Sequence, residues 1–205
     1  MAYGTAPRRG RIPWLGPDDL DAHQRSLYDQ IVSSRGGARS TPLTDAHGRL
    51  EGPFNAMLLR PDLGRLLQEL GAAIRYSGAL TDRARELSIL EVARIRQSSY
   101  EWFAHEAPGR AAGLGEDELA GLRSGATVPG LSRVESLIRE AVRSLVESRD
   151  LPDDLFNQLE QEIGPKVLFE ILTLVGYYDF LAMSLKALRV PLPGGLQAPG
   201  GSPGA

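Results

Sequence analysis

The sequence predicts an all-α protein, and three observations predict it. Apolar residues recur at three- and four-residue spacing, as in Leu63, Leu66, Leu67, Leu70, Ala73 and Ile74. No segment alternates convincingly with period two, and no Asn-Gly or Asp-Gly turn joins two candidate strands. Prolines, glycines and small polar residues stand where helices start and stop.

Along the chain, Leu15-Gly16-Pro17-Asp18-Asp19-Leu20 reads as a helix start. Proline needs no amide bond in a first turn, and carboxylates favour the positive end of the helix dipole. Leu20, Leu27 and Ile31 carry a partial apolar stripe to about Ser34. From Arg35 to Gly52 the composition turns to Gly, Arg, Ser, Thr, Pro and Asp without periodicity, which predicts a long loop of the kind often used for function. Residues 53–59 form a short helix that ends before Pro61, because the residue preceding proline is biased away from helical geometry. A second helix runs from Pro61 to the Ser77-Gly78 break, and Thr81 can cap the next. In that one Leu87, Ile89, Leu90, Val92, Ala93 and Ile95 spread round more than one face, so it reads as the buried centre. A run with Glu101 and His105 follows, then a short helix over 116–122 and helical patterns over 134–146, 152–163 and 165–188.

Composition bounds the function classes. With 205 residues, 42% hydrophobic and 24% charged, the chain suits one globular domain, here residues 1–190, followed by a Gly- and Pro-rich flexible tail at 191–205. A net charge of -3 supplies no electrostatic reason to expect a nucleic acid or a membrane surface as partner. Arg8-Arg9 is followed by no signal-peptide core, and no stretch of about 18 uninterrupted apolar residues exists, so a cytoplasmic protein is expected. Lys166 and Lys186 are the only lysines; arginine carries the remaining positive charge, and its fork can clamp a carboxylate. The absence of cysteine removes disulfides, thiolate catalysis and thiolate metal sites. His23, His47 and His105 are too dispersed for a metal-binding spacing, so neither metal nor cofactor is expected. No phosphate loop, nucleophile elbow or dinucleotide fingerprint is present.

Glu101 and His105 stand four residues apart, which on a helix puts carboxylate and imidazole on one face. Imidazole exchanges protons near neutrality, and a neighbouring carboxylate stabilises the imidazolium and sets which ring nitrogen bears hydrogen. The plainer alternative is an exposed ion pair worth a few tenths of a kcal/mol. Trp102 and Phe103 argue for a pocket around the pair. Glu86 and Glu91 lie in a helix apolar enough to be buried, where carboxylates need partners; Arg83, Arg85, Arg94 and Arg96 are the local candidates. These glutamates serve either an internal salt-bridge network or, for Glu86, a second proton station. Pro108 should bend or interrupt the helix of His105. Tyr100, Trp102, Asn55 and Tyr177 are candidate substrate-binding residues; packing and local capping are the alternatives for Asn55 and for Tyr177 with its neighbour Tyr178.

The order Arg83-Ala84-Arg85-Glu86-Leu87-Ser88-Ile89-Leu90-Glu91-Val92-Ala93-Arg94, then Tyr100-Glu101-Trp102-x-x-His105, then Ala112-Gly113-Leu114 and an acidic short helix, resembles the carboxymuconolactone decarboxylase family, which includes alkylhydroperoxidase-like proteins. The resemblance extends over about residues 53–191, with Pro53-Phe54-Asn55 and Val175-Gly176-Tyr177-Tyr178. It implies a multi-helix alkylhydroperoxidase-like fold whose subunits interlock as trimers or hexamers. In the peroxidase branch a glutamate precedes a Cys-x-x-Cys pair and a histidine. Glu86 and His105 match that spacing while Ser98 and Glu101 occupy the cysteine positions, which opposes thiol peroxidase activity. In the decarboxylase branch a glutamate and histidine are placed as Glu101 and His105.

The resulting expectation is a cofactor-independent acid/base enzyme, a decarboxylase or an isomerase/lyase, acting on a small carboxylated lactone, a β-keto acid or a related enolisable compound. His105 shuttles the proton, Glu101 orients and charges it, and Glu86 polarises or relays. The alternative is a non-catalytic oligomeric binding or structural protein on the same scaffold, whose Glu101 and His105 are engaged only in internal pairing.

Overall fold

Helix α4 (Asp82–Ile95) is where the apolar pattern becomes structure: every residue from Ala84 to Ala93 is buried. Such all-round burial requires partners on every side. α5 (Ser99–Ala111), α6 (Glu116–Ser124) and α7 (Arg133–Glu147) supply them. A computed structural model describes residues 6–35 and 42–196, and divides the chain into two units. One comprises residues 1–70 and 184–205, the other 71–183. Eight α-helices form among the described residues, so the protein is all-α as expected.

In the second unit, Leu87, Leu90 and Ala93 of α4 join Trp102, Leu114, Leu119, Leu122 and Val128 in one apolar cluster. Thr81 caps α4 as expected, its hydroxyl accepting from the Ala84 amide at 3.2 Å. Ser98 caps α5 through the Glu101 amide. Pro108 does not interrupt α5, which runs on to Ala111. Proline removes one amide donor, the partner of the Ala104 carbonyl, and the surrounding packing holds the turn regardless. At Gly109 a Cβ would stand 3.1–3.2 Å from the Leu114 and Leu90 side chains, so glycine permits the close approach of α5 to α4. The helices expected over 152–163 and 165–188 are both present within the run α8 (Asp153–Leu188), separated at Gly164, which leaves helical geometry at φ 72° and ψ 167°. Glu170 of α8 accepts from the amides of Ala79 and Leu80 at 2.7 and 3.2 Å, tying down the turn before α4.

The first unit contains an antiparallel pair absent from the expectation, Arg8–Arg9 (β1) with Ile12–Pro13 (β2). Two residues are too few to show alternation, which is why the pattern is silent there. Gly10 turns the pair at φ 63°, and a Cβ at this position would clash with the Arg189 carbonyl. The helix start expected at Pro17 is a 3-10 turn, Pro17–Asp19. α1 (Ala22–Arg35) begins later, where Asp21 and Gln24 exchange side-chain to amide hydrogen bonds at 2.9 and 3.0 Å. Within the loop expected over 35–52, residues 36–41 lie outside the description, and Thr44 and Leu50 form an isolated antiparallel bridge. α2 (Pro53–Met57) and the first part of α3 (Pro61–Tyr76) follow. Of the expected tail, 197–205 lie outside the described residues, and Pro193–Gly195 form a 3-10 turn.

α8 is long and apolar enough to cross a membrane by length and composition, which the uninterrupted-stretch criterion did not anticipate, but 44% of its most apolar window is buried inside the protein. A buried core helix meets the same test.

Candidate active site

The chemistry-bearing groups of the second unit meet between α4, α5, α8 and the last turn of α3. His105 on α5 and Glu86 on α4 are the tightest pair, with Nδ1 and a carboxylate oxygen 2.7 Å apart. Glu101, one turn before His105, lies at 3.5 Å from Nε2. The two carboxylates thus address opposite nitrogens of one ring. His105, Glu86 and Glu101 are all buried, with side-chain exposures of 8, 3 and 4%. The edge of Tyr178 on α8 meets the imidazole at 5.2 Å between ring centres, and Tyr177 in turn meets Tyr178 at 5.3 Å.

Arg75, next to last in α3, completes the group: its guanidinium is 3.6 Å from Glu86 and 3.5 Å from His105 Nδ1, and the Tyr178 phenol is among the groups that favour its charged form. Arg85 reaches Glu86 at 3.6 Å and donates to the backbone carbonyl of Arg75 at 3.2 Å.

Electrostatics separates the two carboxylates. Burial pushes the Glu86 carboxyl up, but the His105 ring, Arg75 and Arg85 outweigh it and hold its pKa below the ordinary value. Glu101 goes the other way: burial dominates, Glu86 adds repulsion, and the attraction of His105 and Arg75 does not compensate, so its pKa is raised. Burial likewise raises the Tyr178 phenol, which therefore stays protonated at neutral pH. An ionised Glu86 accepts from Nδ1–H, which leaves Nε2 as the nitrogen turned toward Glu101. Sequence spacing points to Glu101 as the orienting partner; the distances give that position to Glu86.

A consequence is testable through stability. A carboxyl whose folded pKa is raised contributes stability that is fully present below its unfolded value and lost as pH rises through the folded value. Glu101→Gln is therefore expected to match the parent near pH 4 and to be the more stable protein at pH 7, each tenfold change in acid dissociation being worth about 1.4 kcal/mol. Denaturant unfolding at both pH values checks this; an equal loss at both would contradict it.

Among the other expected site residues, Tyr100 is buried on α5. Trp102 donates from its indole nitrogen to Glu106 at 3.0 Å, lies 4.6 Å beneath the Arg123 guanidinium, and joins the apolar cluster. Asn55 belongs to the first unit, where its amide accepts from the Leu15 amide at 3.0 Å and donates to the Leu15 carbonyl at 2.9 Å. Arg75 and Tyr178 are the members that spacing missed, since they reach His105 from separate helices. Tyr178 had a faint signal as a polar residue in an apolar pattern; Arg75 had none.

Glu91 forms a separate buried network. Its carboxylate is met by Arg94 at 2.6 Å, Arg139 at 3.1 Å and Arg143 at 3.9 Å. Of the four arginines expected to serve the buried glutamates, Arg85 and Arg94 do so; Arg83 pairs with Glu118 and Glu135, and Arg96 with Asp179. Beside this network a cleft of ≈ 490 Å³ runs along α7, lined by Thr127, Val128, Leu131, Arg139, Arg143 and their neighbours, and it does not include His105. Among the described residues no group of three His, Asp or Glu is arranged to hold a metal ion.

The comparisons with known proteins follow the same lines. Residues 61–143 match the profile of the Carboxymuconolactone decarboxylase family, a narrower span than the expected 53–191. A peroxidase-related protein of Ralstonia eutropha JMP134, described as an alkylhydroperoxidase AhpD core, is similar in structure with a TM-score of 0.72. It is 15% identical over 92% of this chain and 95% of that one. An uncharacterized peroxidase-related protein of Silicibacter sp. TM1040 has a TM-score of 0.72 at 11% identity, over 94% and 96% of the two chains. The apo debrominase Bmp8 has a TM-score of 0.65 at 12% identity, over 88% and 91%. At these identities the likeness shows the fold. A search among curated proteins finds no match. Residues 61–143 are thus similar to the carboxymuconolactone decarboxylase family, and the chain has an alkylhydroperoxidase-like all-helical fold and no cysteine.

Proposed function

We propose that this chain is an acid/base enzyme that moves a proton on a small enolisable carboxylic compound, a carboxylated lactone or a β-keto acid, in a decarboxylation or isomerisation. The observation that carries the reading is the buried imidazole with two carboxylates of opposite pKa direction on its two nitrogens. Separated proton affinities around one ring are what a proton relay requires. Glu86 holds Nδ1–H and stabilises the imidazolium; His105 Nε2 takes the proton from carbon; Glu101 is the second station, able to receive it or return it. The family of residues 61–143 supports small-molecule chemistry in general terms. No step in this scheme draws on a cofactor or a thiol.

The test is turnover. Purified protein should consume at least one member of a panel of carboxylated lactones and β-keto acids, followed by loss of the enolisable chromophore and by carbon dioxide release. A panel that stays intact at high protein concentration rejects the reading. The burial of all three groups and their mutual pairing favours the second reading, a binding or structural protein in which the triad only holds helices together. Under that reading His105→Gln lowers stability and changes no reaction.

We also propose that the protein works as a homo-oligomer in the cytoplasm. Support for assembly comes from α8, where Phe169, Leu172, Phe180 and Met183 are exposed, Phe169 by 70% and Met183 by 61%. With Gly176 they fall at helical spacing on one face, and a Cβ at Gly176 would meet open space. Phe169→Asp combined with Met183→Asp should shift the mass measured by light scattering from a trimer or hexamer toward the monomer. A monomeric parent would remove the proposal.

A further inference from the structure

We propose that Arg75 is the substrate-binding residue that takes the carboxylate of the substrate, and so sets the specificity of the site for carboxylic acids; this rests on the acid/base reading of the same cluster. Three observations point there. Arg75 is the open member of a closed group: its side chain is 23% exposed, against 8% for His105 and 3% for Glu86. It is also loosely engaged, since 3.6 Å to Glu86 is well beyond the ~2.7–2.9 Å of a charge-assisted bond. Other arginines of the unit are held closely, Arg94 by Glu91 at 2.6 Å and Arg83 by Glu135 at 2.7 Å.

The contact with the ring has a further meaning. With Nδ1–H pointing at Glu86, Nδ1 is a donor and cannot accept from Arg75 at 3.5 Å. Two donors facing one another leave the guanidinium fork without a strong acceptor on that side. Glu86 meanwhile has its near partner in His105 at 2.7 Å and a second cation in Arg85, so it stays compensated when Arg75 turns to a ligand. Arg85 holds the Arg75 backbone in place through its carbonyl, and Glu170 fixes the turn just beyond it. A planar bidentate group offered by such a fork is a carboxylate. The Arg75 guanidinium offers a single positive charge, which a single carboxylate matches.

The probe is tetrahydro-5-oxofuran-2-carboxylate, a saturated carboxylated lactone, with its methyl ester as the uncharged counterpart. Binding is read from the imidazole resonances of His105, assigned by their loss in His105→Gln. Saturable shifts are expected with the acid and not with the ester. Arg75→Gln should weaken the acid by about tenfold or more, and Arg75→Lys, which keeps charge but loses the fork, should retain part of the affinity. Equal binding of acid and ester, unchanged affinity in a folded Arg75→Gln, or no response of the parent at millimolar probe would each overturn the assignment. If the acid binds through Arg75 while no enolisable compound is turned over, the acid/base function fails and the carboxylate site stands.

Discussion

Replacing His105 with glutamine is expected to lower turnover by about 10²–10⁴-fold while leaving helix content intact. Glutamine can still donate to Glu86, which is 2.7 Å from the ring, so the buried carboxylate keeps a hydrogen bond as well as Arg75 and Arg85. It cannot accept a proton at neutral pH. The loss therefore falls on the chemical step, with kcat reduced and KM little changed, and circular dichroism separates this from unfolding. Unchanged kcat in a folded His105→Gln would remove the imidazole from the mechanism and leave the structural reading of the triad.

Glu91→Ala is expected to be the most destabilising single change, by about 3–5 kcal/mol, because it strands cations in the core. The carboxylate is fully buried, and Arg139, itself 8% exposed, loses its carboxylate partner at 3.1 Å and keeps only the neutral Ala126 carbonyl at 3.0 Å. Arg94 and Arg143 are more exposed and can turn to water, which places the main loss on Arg139. The paired replacement Glu91→Leu with Arg139→Met should recover most of the stability, since removing both buried charges together avoids the orphaned cation. Denaturant midpoints of the two variants measure this. A double variant no more stable than Glu91→Ala would show that packing, not charge, explains the loss.

The placement of the helices was legible from periodicity and punctuation. Thr81 caps α4, Gly164 breaks α8, and the apolar residues spread round α4 do mark the buried centre, because caps, glycine dihedrals and periodicity are local. The two-residue strands were not legible, since a pair that short has no period. Pro108 shows the limit of a local rule, as tertiary contacts around Gly109 carry α5 past it.

The candidate site divides in the same way. Its sequence alone determined that Glu101 and His105 share a helix face, that Glu86 and Glu91 must be buried and paired, and that no thiol takes part. Only the tertiary structure decided that Glu86 is the nearer carboxylate, that Tyr178 is the aromatic neighbour, and that Arg75 and Arg139 are the distant cations. Spacing along one helix is set by its pitch, whereas which side chains meet across two helices depends on their crossing and rotation. Those follow from the packing of the whole core, and no short segment encodes them.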